Sequence, residues 1–364
     1  MQHGVIQADG RLYVDNSILA TEAVCQTHAS LRYGLGYDAP GVRVKMNVGT
    51  AVHAGMDVFF AGGAPDAVLA AFEAAYTAMG IGQAIAAMDE KQQKSYQAYT
   101  LENLRVIMGE YCVRNAHLPF EVDVSTIEQG FMVLLDPEFN IWYTGTPDVG
   151  KAVMRGSGSV YTVDTKSTGS YITAEYKRGY RTASQVSGYL WGLREATGLP
   201  YVGAFINAIN IKKIPDSNRR CSDHGVPYSE CGLMHAEMEL FPVSRTPQQI
   251  EAWRVNAIQL ARRYRARLER VRTAADLPMV PMEGQFAQGG GVCRQCVAAD
   301  FCALGRPAAD LHIETFGNTG RFEAEAFWVE LPRHDLMHLL RSKAVLMPGV
   351  TVTLTTEKSG QKDP

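Results

Sequence analysis

The sequence has little that would place it in a membrane or mark it for secretion. None of the apolar runs in its 364 residues is long enough to span a bilayer. The N-terminal segment MQHGVIQADG has neither an apolar core nor a cleavage signature, so we expect no secretory signal. Together these absences predict a cytoplasmic, reducing location and no membrane partner.

The sequence also lacks a strong excess of either charge. Its formal net charge is −3, and its 46% hydrophobic and 20% charged residues are typical of a soluble globular protein. The chain is therefore not basic overall, and any surface for nucleic acid must be local. A length of 364 residues allows one large domain or two, with an ample core.

Helical and strand-like patterns follow one another in blocks and predict an α/β fold with a central mixed sheet flanked by helices. We expect one domain over residues 1–302, with a helical insertion at about 66–117, and a small α/β appendage and tail over 303–364. The main predicted elements are helices at 16–37, 47–63 and 183–196 and a long helix from the N-cap Thr246. The predicted strands are PFEVDVSTI, GFMVLLD, IWYTGTPDVGKAVM and SVYTVDTKST within 119–166, and one at 201–213.

The seven cysteines argue against a disulfide framework, because their number is odd and no secretory signal is expected. Cys293, Cys296 and Cys302 have C-x2-C-x5-C spacing after a run of glycines. Three thiolates need a fourth, and Cys25 is the natural candidate. Thiolates select zinc or iron–sulfur clusters, and the spacing alone leaves a four-thiolate zinc site equally open.

A carboxylate and a lysine share one face at the end of a predicted strand, YTVDTKST. Asp164 and Lys166 are two positions apart, so both side chains point to the same side of the strand. Asp148, in GTPDVG, belongs to the neighbouring strand. Two carboxylates can hold a divalent cation, and a lysine beside it can orient or deprotonate a water. On these strands alone, a surface salt bridge is an equally good interpretation.

Four further residues could join this group. His53 lies in a predicted helix and could supply a nitrogen ligand, although a lone histidine on an apolar helix is more often a core residue. Gln185 and Tyr189 lie at i and i+4 on one helix face and could hydrogen-bond a phosphate or a water, although Tyr189 could simply pack. Glu121 opens the first strand of the sheet and could support the metal site.

Taken in order, these residues resemble the PD-(D/E)XK nuclease superfamily, in its RecB-like branch, over roughly residues 16–302. The literal Pro147-Asp148 and Asp164-Thr165-Lys166 carry the resemblance, with the upstream histidine and the downstream Gln–Tyr pair. The resemblance implies a restriction-endonuclease-like fold and a metal-dependent DNA nuclease. It also implies that His53, Asp148, Asp164 and the Thr165 carbonyl hold Mg²⁺ or Mn²⁺. Lys166 would position or activate the attacking water. Gln185 and Tyr189 would orient the substrate or the lysine.

The same resemblance favours a cluster over zinc for the cysteines. The sequence is similar in this respect to the AddB nuclease domain and the CRISPR-associated cluster nuclease, which have one N-terminal and three C-terminal cysteines. The implied cofactor is a structural [4Fe–4S] cluster, ligated by Cys25, Cys293, Cys296 and Cys302, that closes the domain. A prokaryotic or phage origin fits this family.

By resemblance, the expected activity is exonucleolytic on single-stranded or end-containing DNA. The sequence contains no Walker A signature, so no helicase motor is fused here, and a helicase or recombinase could be a separate partner. A structure-specific or CRISPR-type processing endonuclease is an alternative. A non-catalytic DNA-end-binding module is another, although the complete ligand set argues against it.

Local basic and aromatic residues are the candidates for contact with DNA. Tyr171, Tyr176 and Tyr180 could stack on bases or equally pack, and the arginines of the long helix are better explained as a solvated face. A separate group, Cys221, His224, Cys231 and His235, could bind zinc but matches no familiar finger spacing. The predicted DNA-binding residues are Lys177, Arg178, Arg181 and Arg32.

Overall fold

The computed structural model describes residues 3–38, 42–214, 220, 225–227, 235–272 and 276, and the backbone of 329–330, 345–347 and 350–352. The helices in these residues are α1 (Asn16–Val24), α2 (Gln26–Ala29), α3 (Val44–Phe60), α4 (Pro65–Ala78), α5 (Ile81–Ala86), α6 (Glu90–Ser95), α7 (Leu101–Arg114), α8 (Ala174–Tyr180), α9 (Ser184–Thr197) and α10 (Pro247–Leu268). The strands are β1 (Leu12–Val14), β2 (Tyr37–Asp38), β3 (Phe120–Val122), β4 (Phe131–Asp136), β5 (Ile141–Gly145), β6 (Val149–Met154), β7 (Val160–Thr168), β8 (Tyr201–Asn210), β9 (Met238–Ser244), β10 (Val329–Glu330), β11 (Val345–Met347) and β12 (Val350–Val352).

The central sheet has five strands in the order β3-β6-β7-β8-β9. Strands β7 and β8 are parallel, and every other pair in this sheet is antiparallel. Helices α8 and α9 form the crossover that parallel neighbours require. The predicted fold class is confirmed, since a five-stranded mixed sheet flanked by helices is consistent with a restriction-endonuclease-like core. The carboxyl ends of β7 and β8 lie side by side at one edge of this sheet.

A second sheet runs in the order β1-β5-β4-β11-β12. The sequence predicts one strand through IWYTGTPDVGKAVM, but the structure divides it, with β5 in the second sheet and β6 in the central sheet. The break falls at residues 146–148. Pro147 explains it, because proline has no N–H to donate to a ladder. Asp148 therefore lies where the chain passes from one sheet to the other.

Two hydrophobic cores lie on opposite faces of the central sheet. The first joins α9, α10 and the second sheet, and the second joins α3, α4 and α7. Helix α9 approaches the second sheet through Gly188 and Gly192. A Cβ at Gly188 would lie 2.1 Å from the Tyr143 hydroxyl, and one at Gly192 would lie 2.1 Å from the Phe131 ring. Only glycine permits this contact.

The long helix α10 begins with a capping box, in which the Thr246 hydroxyl accepts from the Gln249 amide at 3.2 Å and Gln249 bonds back to the Thr246 amide.

The arginines of α10 do more than face solvent. Arg267 pairs with the fully buried Glu22 of α1, and Arg263 bonds the same carboxylate at 2.9 Å. Helix α10 therefore fixes the N-terminal helix to the core by buried ionic contacts. No helix in the described part of the chain is both long and apolar enough to cross a bilayer.

Candidate active site

The register of β6 and β7 brings the two predicted aspartates together. Val149 pairs with Val163 in an antiparallel ladder, so the residue before Val149, Asp148, faces the residue after Val163, Asp164. The amide of Thr165 donates a hydrogen bond to Asp148 Oδ2. Both carboxylates are buried, with 5% and 3% of their residue surfaces exposed. Two neighbouring carboxylates at such a site require compensating positive charge.

Lys166 supplies part of that charge. Its Nζ lies 3.0 Å from Asp164 Oδ1 and 2.9 Å from Oδ2. Burial lowers the pKa of Lys166, but the charge and hydrogen bond of Asp164 outweigh it, so the pKa is raised overall. Burial and the neighbouring Asp148 raise the pKa of Asp164 against the opposing effect of the lysine. The pair is thus an ammonium held against a buried carboxyl group.

Helix α3 brings His53 to the same place. Its Nδ1 lies 2.8 Å from Asp148 Oδ1, across 95 residues of sequence. The helix comes close to β7 at Gly49, where an added Cβ would lie only 3.1 Å from the Ser167 hydroxyl. Burial lowers the pKa of His53, but the charge and hydrogen bond of Asp148 outweigh it and the pKa is raised. His53 therefore tends to carry a proton that is shared with Asp148.

The structure adds Glu128, which no motif or periodicity in the sequence marks. One ligand atom from each of His53, Glu128 and Asp148 lies within 4.8 Å of the others. The Glu128 amide donates to the Asp148 carbonyl at 2.9 Å, and Glu128 itself has φ of 53°, in the left-handed region. Residues 126–129 form a tight turn that closes with a bond from the Gln129 amide to the Thr126 carbonyl. Glycine or asparagine usually occupies such a position, so a glutamate there is notable.

Glu121, the predicted supporting carboxylate, does not join this cluster. It lies on β3, and its carboxylate pairs with Arg155 at 3.3 Å at the surface, with 70% of its side chain exposed. The site carboxylate comes instead from the turn that follows β3. The turn explains this difference, because the hydrogen bond between the Glu128 amide and the Asp148 carbonyl holds Glu128 beside the site.

The donors of the His53–Glu128–Asp148 cluster fit a divalent cation. Two are carboxylates and one is an imidazole, and all three side chains are at least partly buried. Hard cations such as Mg²⁺ and Mn²⁺ prefer the carboxylate oxygens, whereas imidazole suits transition metals such as zinc, iron and nickel. With His53 neutral, as a metal ligand must be, Lys166 alone offsets the carboxylate groups of Glu128, Asp148 and Asp164. A cation would balance the remaining negative charge.

Gln185 and Tyr189 support the site from α9. The Gln185 Nε2 donates to the Tyr189 hydroxyl at 2.9 Å, and that hydroxyl donates to the Thr146 carbonyl at 3.2 Å. Burial raises the pKa of Tyr189 well above its ordinary value, so the hydroxyl keeps its proton. In the part of the chain that the structure describes, Gln185 and Tyr189 therefore hold the backbone at Thr146, two residues before Asp148.

The predicted basic residues lie in different surroundings. Lys177 pairs with Glu239 at 2.7 Å, whereas Arg178 and Arg181 are exposed beside it on the crossover. Arg32 lies in a short π-helical turn at Ser30–Gly34, 5.5 Å from the centroid of the Tyr33 ring. Lys177, Arg178 and Arg181 therefore share one surface after β7, and Arg32 belongs to another region of the chain.

The three tyrosines divide into two environments. Tyr176 and Tyr180 pack edge-to-face with ring centroids 5.3 Å apart, and their hydroxyls lie 3.0 Å from one another. Both are packed against the first core. Tyr171 is different, because 69% of its residue surface is exposed. Of the three, Tyr171 is therefore the largely exposed ring, whereas Tyr176 and Tyr180 are half-buried.

Most of the predicted cysteine ligands lie outside the described residues. Cys25 is described, and it is a buried free cysteine between α1 and α2. Cys293, Cys296 and Cys302 lie outside the described residues, as do Cys221, His224 and Cys231 of the possible zinc group. His235 lies within them, just before β9. Both metal predictions therefore stay predictions.

A family model agrees with this geometry. The family model of the PD-(D/E)XK nuclease superfamily matches residues 17–303. No curated protein matches the chain. Among solved structures, the chain is similar to a crystal structure named "Putative exonuclease" from Eubacterium rectale, with 13% sequence identity and a TM-score of 0.39. That similarity covers 71% of this chain and 80% of the other.

Proposed function

Because the chain belongs to the PD-(D/E)XK nuclease superfamily, we propose that it is a Mg²⁺- or Mn²⁺-dependent deoxyribonuclease that hydrolyses phosphodiester bonds, acting as an exonuclease on single-stranded or end-containing DNA. One observation carries the metal dependence. Donor atoms of His53, Glu128 and Asp148 come within 4.8 Å of one another beside the Asp164–Lys166 pair. This arrangement supports phosphodiester hydrolysis at the carboxyl end of β7.

Each residue of the site has a distinct task. His53, Glu128 and Asp148 would hold the cation, with Asp164 and the Thr165 carbonyl on the neighbouring strand. A bound divalent cation polarises a phosphoryl oxygen and lowers the pKa of a water. Lys166 is held as an ammonium by Asp164, which favours orienting the water and offsetting negative charge over removing a proton. Gln185 and Tyr189 fix the backbone that carries Asp148.

The substrate would approach over the crossover between β7 and β8. Lys177, Arg178 and Arg181 present positive charge there, and phosphate contacts by such residues supply most sequence-independent affinity. Arg32, in the Ser30–Gly34 turn, would contribute a separate phosphate contact. A helicase or recombinase would be a separate partner that supplies unwound DNA.

A second proposed element is the RecB-like [4Fe–4S] cluster, held by Cys25, Cys293, Cys296 and Cys302. Cys25 is buried between the end of α1 and the start of α2, three residues after Glu22, which pairs with Arg267 of α10. A cluster at this point would tie the two ends of the domain together. The support is the resemblance of the cysteine pattern, together with the burial of Cys25.

The test is a cleavage assay on labelled single- and double-stranded DNA with free or blocked ends, with Mg²⁺, Mn²⁺ or EDTA. We expect metal-dependent release of nucleotides from free ends, and a loss of roughly 100-fold or more in Asp148→Asn. Asp123→Asn is the matched control, because Asp123 pairs with Lys151 near the surface at 3.2 Å. Cleavage of circular or end-blocked DNA would favour a processing endonuclease. Binding without any cleavage would favour a DNA-end-binding module.

A further inference from the structure

Two tyrosines and two lysines, all at least partly exposed, lie near the end of β7 and take no part in the proposed catalytic centre. We call the group formed by Lys45, Tyr96, Tyr171 and Lys212 the tyrosine–lysine surface. The Lys212 Nζ lies 5.7 Å from the centroid of the Tyr171 ring. The Lys45 Nζ lies 5.9 Å from the centroid of the Tyr96 ring. Each aromatic ring is thus paired with an ammonium group.

The two halves of this surface are joined beneath by Tyr99. Its ring lies 5.6 Å from that of Tyr96, and a Cβ at Gly169 would lie 3.3 Å from its hydroxyl. Gly169 is two positions before Tyr171 in the chain. The Asn103 side chain of α7 also donates to the Lys212 carbonyl at 2.9 Å. Residues from α3, the end of α6, the loop after β7 and the segment after β8 are therefore linked into one patch, with Asn103 of α7 bonded beneath it.

The patch begins where the catalytic strand ends. Tyr171 is five residues after Lys166, and β7 itself ends at Thr168. Lys45 is on the helix that carries His53, eight residues before it, which is about 12 Å along the axis. A chain that leaves the catalytic centre along the end of β7 would pass over these side chains.

The backbone under Tyr171 is held in place. The Ile211 amide donates to the Thr168 carbonyl at 2.6 Å, and the Ile172 amide donates to Glu237 at 2.8 Å. Glu237 also accepts from Asn210 and lies 3.8 Å from Lys212. The Tyr171 ring is nevertheless 69% exposed. A rigid loop that presents an aromatic ring to solvent loses little conformational freedom when a ligand stacks on it.

We propose that the tyrosine–lysine surface binds unpaired nucleotides of the substrate strand, with Tyr171 as a stacking platform for a base. This inference rests on the proposed function and narrows its substrate to single-stranded DNA or frayed ends. Stacking on an aromatic ring needs a base that has left the duplex, whereas a phosphate contact does not. The ammonium groups of Lys45 and Lys212 lie where the backbone phosphates of that strand would run.

The test is a binding measurement that separates stacking from charge. Fluorescence anisotropy with a labelled oligo-dT is compared with an abasic oligonucleotide of the same length and a blunt hairpin, in EDTA to prevent cleavage. We expect Tyr171→Ala to weaken oligo-dT binding by about 5- to 150-fold, because stacking contributes roughly 1–3 kcal/mol per base. Binding of the abasic strand and the hairpin should not change. Lys45→Ala should instead lower the salt slope by about 0.7 on all single strands.

Phe139→Ala is the matched control. Phe139 is also an exposed ring beside a cation, with the Arg262 guanidinium 4.6 Å from its centroid, but it lies in the β4–β5 connection. Its removal should leave DNA binding unchanged. Unchanged oligo-dT affinity in Tyr171→Ala, or an equal loss on the abasic strand, would overturn the proposal. The binding measurement in EDTA does not depend on cleavage. A wild-type protein that shows the stacking signature in EDTA but cleaves no DNA with Mg²⁺ or Mn²⁺ would therefore contradict the proposed nuclease activity and leave the tyrosine–lysine surface supported.

Discussion

The side chain of His53 is joined to that of Asp148 by a 2.8 Å hydrogen bond between α3 and the segment that enters β6. A cation at this place must replace the proton that the two share. If the site binds a metal, charge on the imidazole and charge on the metal are therefore alternatives.

The first prediction concerns this exchange. The folded-state pKa of His53 lies above its ordinary value of about 6.5. Without metal, its protonation stabilises the fold below that value, and the stabilisation is lost as the pH rises through the raised pKa. Metal binding has the opposite dependence, so apparent Mn²⁺ affinity should increase with pH over the same range. Calorimetric titration at several pH values tests this, and His53→Gln should flatten the dependence.

The second prediction assigns the chemistry to Lys166. Lys166→Ala should lower cleavage by roughly 10²- to 10⁴-fold, because it removes the group that orients the water and balances charge. DNA binding should be largely retained, since the exposed Arg178 and Arg181 are untouched. Lys151→Ala is the control, because that lysine lies on the adjacent strand but pairs with Asp123 away from the cluster. Full activity in Lys166→Ala would remove Lys166 from the mechanism.

The third prediction separates two glutamates. Glu128→Gln should weaken Mn²⁺ binding by about 10- to 100-fold, because it replaces a carboxylate ligand by a neutral amide of the same shape. Glu121→Gln should leave metal affinity unchanged, since its carboxylate pairs with Arg155 at the surface. Titration of both variants decides between them. Equal affinities would mean that the left-handed turn at Glu128 serves only the backbone.

The fourth prediction concerns the buried ion pair between α1 and α10. Glu22→Ala should lower the free energy of unfolding by about 3–5 kcal/mol, because it leaves Arg267 buried without its carboxylate. Chemical denaturation measures this loss. Glu251→Ala breaks the exposed pair with Arg254 on the same helix and should have little effect. A small change in Glu22→Ala would show that water reaches Arg267.

The fifth prediction tests the proposed cluster. Protein purified without oxygen should be brown and contain iron and sulfide near four per chain. Cys25→Ala should bleach the colour and lower the melting temperature, because the thiolate site couples metal binding to folding. Cys112→Ala, which removes another buried cysteine outside the predicted set, should keep the colour. Colourless protein with stoichiometric zinc would instead indicate a four-cysteine zinc site.

Local pattern accounts for the part of the site that could be predicted. The period of two in YTVDTKST predicts that Asp164 and Lys166 share a face, and the structure pairs them. Thr246 was predictable as an N-cap for the same reason, since its partner is three residues away. These features depend on neighbours in the sequence, so the sequence reveals them.

The features that the sequence did not reveal depend on distant partners. Glu128 reaches the cluster through a backbone bond to Asp148 and a left-handed turn, and no periodicity marks either. Arg263 and Arg267 of α10 look solvated in the sequence because their partner, Glu22, is more than 200 positions away in the chain. Glu121 lies on a strand as expected, but strand position alone does not say which carboxylate faces the site.

The passage of the chain from β5 to β6 has a mechanical consequence. Asp148 is tied to the second sheet through β5 and to the central sheet through β6, whereas Asp164 belongs to the central sheet alone. The separation of the two carboxylates therefore depends on how the sheets are aligned. Crowding at Gly188, where α9 meets the Tyr143 hydroxyl, would shift that alignment. A metal held by Asp148 would therefore bind with an affinity that depends on this alignment, and substitutions far from the ligands, such as Gly188→Ala, would lower it.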